Sequence, residues 1–328
     1  MKDIRNLNNE IDALIATSYA EPLPEVQDMH VPSIASSGKL VSLTRHVPDM
    51  TKSDPVAARA LAKLKGANSK AVSAKKKLIE SKVHEALQEQ SRAIYRYHIA
   101  ATLPWGNLGQ RYLPNVKLID YINTLGIDAD RNVLPNSMAY EFYELKNQFL
   151  DDYARAAAAA QEHLGDMFDE SQYPSVYELD RRIGIRVDYE FIADPDDHRV
   201  KIGDEAARAM HRQYEGVLKR RMEAAYADVF ERLRKPLVNM SSMLDYSDAK
   251  DKTGFRDTLV SNITNIVELM RTCNVTNDPT MTNLTNQLRD TLSGVTPDML
   301  RTNVQTRLST KWKVDQIIKN LPEPSLDF

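Results

Sequence analysis

The sequence predicts a mainly α chain: an elongated antiparallel bundle or coiled coil of long helices carrying a small β-hairpin insertion. Three observations carry that reading. Apolar residues recur at intervals of three, four and seven over long stretches, which puts them on one stripe of a helix. Glycine is scarce, 11 of 328 residues, so tight turns are few and elements are long. The clearest period of two in the chain falls in "GIRVDYEFIADPDDHRVKIG".

Taken in order, residues 1–54 read as an N-terminal arm. Its Pro- and Ser-rich part, "EPLPEVQDMHVPSIASSG", is a linker, and residues 39–46 alternate like a short strand. Asp54 is a helix N-cap with Pro55 at the first helical position, and Gly66 to Ser69 is a break. Beyond it a long helix near 70–101 carries Ile79, Val83, Leu87, Ile94, Tyr97 and Ala101 on one stripe. In "ATLPWGNLGQRYLP" Pro104 stops that helix, two glycines turn the chain, and Trp105, Tyr112 and Leu113 anchor the joint in the core. The other possibility at this joint is that Trp105 or Tyr112 stands exposed as a partner-binding hot spot.

A second long helix runs over 137–168, with Met138, Phe142, Leu145, Phe149, Ala156, Ala160, Leu164 and Met167 on its stripe. Its "ARAAAAAQE" centre has high helix propensity and admits a close neighbour. Ser175 and Glu178 form a capping-box signature for a short helix. Ile185, Val187, Tyr189 and Phe191 then alternate with Arg186, Asp188 and Glu190, and Arg199–Ile202 is the expected second arm of a hairpin at 185–202. The third long helix, near 204–235, shows Ala207, Met210, Tyr214, Val217, Met222, Ala225, Val229 and Leu233 before Pro236 kinks or interrupts it. The last region, 251–328, holds the stripe Phe255, Leu259, Ile263, Ile266, Val267 and Met270, a helix after Asp278-Pro279, and one opened by Thr296-Pro297-Asp298 with Leu300, Val304, Leu308, Trp312 and Ile318. The middle region, 55–250, thus holds the long helices and the hairpin.

Composition excludes several chemistries. The formal charge of −3, from 43 basic and 46 acidic residues, gives no whole-chain argument for nucleic acid or an anionic membrane. Cys273 is the only cysteine, which rules out an intrachain disulfide, suits a reducing cytoplasm and makes the residue a packing group. No apolar run approaches the ~20 residues that span a bilayer, and "MKDIRNLNNEIDALIATS" is no signal peptide, so the chain is expected in the cytoplasm. "GNLGQR" lacks the Lys-Ser/Thr of a phosphate loop and the preceding strand of a dinucleotide site. Asp194, Asp196, Asp197 and His198 offer metal-ligand atoms, yet they lack the Gly and distal Glu of a calcium loop and match ordinary turn chemistry. No catalytic residue, cofactor site or metal site is assigned, and the chain is expected not to be an enzyme.

Charge is the more informative signal. Between Pro55 and Ile79 lie Arg59, Lys63, Lys65, Lys70, Lys75, Lys76 and Lys77 with no Asp or Glu, whereas residues 151–200 hold 13 acidic and 5 basic residues. A positive segment of this kind docks on an acidic protein surface, binds nucleic acid phosphate, or is a solvated face. Aromatic residues for base stacking are missing from it, which ranks nucleic acid second to a protein partner. Lys70, Lys75, Lys76, Lys77, Trp105 and Tyr112 are the candidate partner-binding residues, and a homo-oligomer stays open.

The order "LVSLTRH", "GANSK", "TLPWG", "HLGDMFDESQYPSVYEL", "RVDYEFI…DDHRVKIG" and "FRDTLVSNITNIVEL…NVTNDPTMTNLTNQLR" resembles a family of uncharacterised phage and bacterial proteins. The resemblance spans most of residues 40–310 and is most specific from Leu164 to Leu179. It implies no catalytic residues. Genes of that family often lie near a MoxR-like AAA+ ATPase, so the resemblance implies an accessory or adaptor role with such an ATPase, and a phage origin.

Overall fold

The computed structural model describes Ile34 and residues 36–106, 109–192, 204–245, 258–274 and 278–322. The chain is mainly α, with ten helices and two small antiparallel sheets among the described residues. In order these are β1 (Gly38–His46), β2 (Thr51–Ser53), α1 (Pro55–Lys65), β3 (Lys75–Lys77), α2 (Lys82–Ala101), β4 (Leu103–Pro104), β5 (Arg111–Pro114), α3 (Asn115–Leu125), α4 (Met138–Leu164), α5 (Val176–Arg182) and β6 (Gly184–Phe191). Then follow α6 (Asp204–Met243), α7 (Thr258–Cys273), α8 (Pro279–Leu292), α9 (Pro297–Thr302) and α10 (Val304–Asn320).

Helix starts follow local chemistry. The side chains of Asp54, Ser81, Ser137, Ser175, Asp278, Thr296 and Asn303 each accept from a backbone N–H of the first turn they open. The capping box at α5 is half made: Ser175 accepts from the Glu178 amide at 3.2 Å, but the Glu178 carboxylate accepts from Arg182 instead, at 2.9 Å. A one-turn pair along the helix has captured it.

The main sheet has the order β4-β5-β1-β6, all neighbours antiparallel. Directly opposed residues share a face. Leu103, Tyr112 and Leu40 therefore form one row, while Arg111, Val41 and Tyr189 form the next row on the opposite face. The two faces serve two cores. Val41, Leu113, Ile185 and Val187 pack with Leu87 and Ile94 of α2, Tyr121 of α3, Phe142 and Phe149 of α4 and Leu179 of α5. Leu40, Leu103, Trp105 and Tyr112 pack with Met222, Val229 and Leu237 of α6, Ile263 and Met270 of α7, Leu284 of α8 and Val314 of α10. Phe142 and Phe149 are fully buried, each worth on the order of 2–3 kcal/mol of transfer free energy.

At the end of the sheet the Tyr112 ring covers Gly38, where any Cβ would lie 2.3 Å from a ring carbon. Only glycine fits there. The "TLPWG" joint is a hairpin: Gly106 and Gly109 both have φ of +75°, and the Trp105 amide donates to the Gln110 carbonyl at 3.1 Å. Trp105, Tyr112 and Leu113 are buried, as the sequence implies for the anchoring role.

Several expectations are corrected. The first long helix begins at Lys82, not near 70, because Ser81 caps it and Lys75–Lys77 pair as β3 with β2. β6 pairs with β1; the expected second hairpin arm, Arg199–Ile202, lies outside the described residues, as do Asp194, Asp196, Asp197, His198 and Phe255. The helix of residues 204–243 passes through Pro236, carried by the buried row Leu233, Leu237 and Met240. α2 and α4 share one core and α6 belongs to the other, so the three long helices do not form a single bundle. Met167 leaves its stripe because the helix ends at Leu164, and it is exposed in the 3-10 turn that follows.

The largest departure is at the C-terminus. Asn303 caps a new helix, and α10 turns Arg307, Thr310, Val314 and Ile317 inward. Val304, Leu308 and Trp312, expected in the core, are exposed at 47%, 50% and 65%. Cys273 is fully buried at the end of α7, where burial pushes its thiol up to about 12, the behaviour of a packing residue. No helix among the described residues is long and apolar enough to cross a membrane.

Candidate docking surface

β2, α1, a 3-10 turn at Ser69–Ala71 and β3 form a small lobe. It is fixed to the first core through Met50, Leu78 and Ile79, with the Leu78 amide donating to the Met50 carbonyl at 2.8 Å. α1 turns only Ala58 and Ala62 inward. Small side chains let the helix lie close, and its ends are both closed: Asp54 accepts from Val56 and Ala57 at 3.0 and 2.8 Å, and Gly66 ends the helix in the left-handed conformation.

Its outer face is apolar. Val56, Leu61 and Leu64 are exposed at 68%, 44% and 78%, and Ala60 is exposed between them. Val56, Ala60 and Leu64 follow at i, i+4, i+8, so they form a row along the helix with Leu61 beside it. Arg59 and Lys63 line one edge of this row and Lys65 the other. Lys52, Lys70 and Lys75 extend the positive rim, all exposed. Among the described residues none of these six cations stands within ion-pair distance of a carboxylate. Asp49 and Asp54, the acids of the lobe, are spent on its turns: Asp49 accepts from the Thr51 hydroxyl and amide at 2.8 and 3.2 Å, which with the charge of Lys75 lowers its pKa.

The structure divides the sequence-predicted residues sharply. Lys70 and Lys75 belong to the rim. Lys77 pairs with Glu85 at 2.8 Å, a hydrogen bond that raises the lysine and lowers the carboxylate from their ordinary values. Lys76 points the other way, as strand alternation demands; it is buried, and its ammonium donates to the Met167 carbonyl. Trp105 and Tyr112 are 1% and 0% exposed and stacked at 5.5 Å, so the hot-spot alternative is corrected: these rings fill the second core and offer nothing to a partner. The apolar row was missed by charge counting. Its signal was present in α1, where a row of Ala and a row of Val and Leu divide one short helix between two environments.

A second concave region lies where the two cores meet. A groove of about 700 Å³ runs between α2, α6 and α7, lined by Tyr95, Arg96, Ile99, Arg232, Lys235 and Asn262 among others. Its two arginines are engaged with protein: Arg96 pairs with Glu89 at 2.8 Å and Arg232 with Asp228 at 2.6 Å. Among the described residues no three His, Cys, Asp or Glu side chains gather where they could hold one metal ion. Comparison with family models, with curated proteins and with solved structures finds no match to this chain.

Proposed function

We propose that this protein is a non-enzymatic interaction protein of the cytoplasm that docks on an acidic protein surface through the β2–α1–β3 lobe. One observation carries the reading: an exposed apolar row on a rigidly capped helix, framed by six cations that pair with no carboxylate among the described residues. The apolar centre supplies affinity on contact and the cations accelerate and orient the encounter. The resemblance of Leu164–Leu179 and its flanking motifs to the phage and bacterial family makes a MoxR-like AAA+ ATPase the expected partner class.

The rival reading, nucleic acid held through the same cations, is favoured by the lack of acidic residues from Pro55 to Ile79 and opposed by the lack of any aromatic residue there. The test compares the tagged wild-type chain with a variant carrying Lys63→Glu, Lys70→Glu and Lys75→Glu. Co-purification and mass spectrometry are expected to recover an AAA+ ATPase with the first and lose it with the second. Recovery of no stable partner, or of nucleic acid alone, would overturn the reading.

A further inference from the structure

We infer that the partner element received by this lobe is an amphipathic α-helix with an apolar stripe and acidic flanks, laid along α1 over Val56, Ala60, Leu61 and Leu64. The inference rests on the docking reading above and gives it a shape.

The exposed row from Val56 to Leu64 is about 12 Å long, eight steps at the rise of a helix. That is the footprint of two turns of a second helix, whose own anchors at i, i+3 or i+4, i+7 match it in spacing. The rim fixes the chemistry of the flanks. Arg59 and Lys63 on one edge and Lys65 on the other leave a docked helix facing positive charge on both sides, which acidic side chains answer and basic ones oppose. The surface is also preorganised: caps at Asp54 and Gly66 and the inward Ala58 and Ala62 hold the row in place before contact, so little ordering is needed on binding.

Other anionic occupants fit less well. A nucleic acid backbone would engage the cations and leave Val56 and Leu64 in water, with no aromatic from Val47 to Ile79 on which a base could stack. A lipid surface calls for a larger apolar face with aromatic anchors, and α1 is an 11-residue helix with neither Trp, Tyr nor Phe.

The test uses the full chain and a fluorescein-labelled, lactam-stapled helical peptide of about five turns with Leu at every third and fourth position and Glu on both flanks. A control peptide replaces each Leu by Gln and keeps the charge. The Leu/Glu peptide is expected to bind with salt-sensitive affinity. Val56→Ser with Leu64→Ser should weaken it by about tenfold or more without changing the melting temperature, since both side chains are already in water. The Leu-free peptide should bind about tenfold more weakly than the Leu/Glu peptide. Equal binding of both peptides, untouched by the Ser variant, would overturn the helix inference while leaving electrostatic docking in place. Binding of neither peptide would overturn docking itself. Binding to phosphatidylglycerol vesicles or duplex DNA that exceeds binding to the peptide, and falls in the Lys→Glu variant, would assign the lobe to lipid or nucleic acid and overturn both.

Discussion

Arg111 and Arg232 converge on one acceptor, the Ile99 carbonyl in the last turn of α2, from which Arg232 Nη1 lies 2.7 Å and Arg111 Nη2 3.4 Å. The last carbonyls of a helix lack intrahelical partners and carry the negative end of its dipole. Here they are closed by two cations from different parts of the fold, one on β5 of the sheet and one on α6 of the second core, while the Thr102 hydroxyl donates to His98 and Arg111 also reaches the Thr102 carbonyl at 2.9 Å. Burial, with Arg232 adding repulsion, lowers Arg111 to about 10. The helix end is what makes two neighbouring guanidinium groups tolerable with Asp228 as the paired carboxylate. It also ties the two cores together.

Arg232→Ala should therefore destabilise the fold by about 2–3 kcal/mol, because it strands the Asp228 carboxylate and leaves Ile99 with the longer bond alone. Arg232→Lys should recover only part of this, since one ammonium cannot hold Asp228 and Ile99 in the geometry of a guanidinium fork. Urea unfolding of the three proteins measures it. A loss below about 0.5 kcal/mol for the Ala variant would show that the joint does not depend on this pair.

His98 gives the fold an acid limit. It is 2% exposed, its Nδ1 lies 2.6 Å from the Tyr121 hydroxyl, and burial, with Arg111 adding repulsion, lowers it to about 4. An unfolded chain titrates this group near 6.5. Above that pH both states are neutral and His98 contributes no pH dependence; as pH falls toward 4 the unfolded state binds a proton that the folded state refuses, so stability drops and then levels. Lowering the pH from 7 to 4.5 should cost about 2–3 kcal/mol through this group. His98→Gln should remove that part of the dependence while carboxylate contributions persist. Parallel pH–stability curves for the two proteins would contradict it.

The two tryptophans report the C-terminal correction directly. Trp105 is enclosed, with the Arg221 guanidinium 5.9 Å from its ring centroid, whereas Trp312 is 65% exposed on α10. Acrylamide should quench wild-type fluorescence in two components. Trp312→Phe should abolish the accessible one and leave a blue-shifted, shielded emission; if it removes the shielded component instead, α10 has the opposite face inward.

What was legible in the sequence was local. Asp54-Pro55, Ser137, Asp278 and Thr296 announce their helices because a cap and the amides it accepts lie within one turn. The alternation of β1 and β6 was visible for the same reason. Their pairing was not, because Val41 meets Tyr189 across the whole of the intervening chain and no local pattern points to a partner that far away. On α10 the more hydrophobic row, Val304, Leu308 and Trp312, was read as the inner one, but the restart at Asn303 sets the phase so that Arg307 and Thr310 face inward, with Arg307 bonded to the Leu300 carbonyl. In the docking lobe, charge was legible and direction was not: a run of three lysines looks uniform until a strand sends the middle one inward.

That alternation sets the last expectation. Lys75, Lys76 and Lys77 are adjacent in sequence, and their Ala variants should separate stability from binding. Lys76→Ala removes a buried stem and leaves the Met167 carbonyl without its ammonium, a loss of about 1–2 kcal/mol. Lys77→Ala breaks only the solvent-screened pair with Glu85 and should leave stability nearly unchanged. Lys75→Ala, exposed and outside ion-pair distance of any described carboxylate, should leave stability within about 0.5 kcal/mol. Association with an acidic partner should order them differently: Lys75→Ala slows it, and Lys76→Ala, once folded, does not. Chemical unfolding and stopped-flow association of the three single variants with the Leu/Glu peptide give both scales. If Lys76→Ala slows association as much as Lys75→Ala while leaving stability intact, the middle lysine faces outward and the strand register of the lobe is wrong.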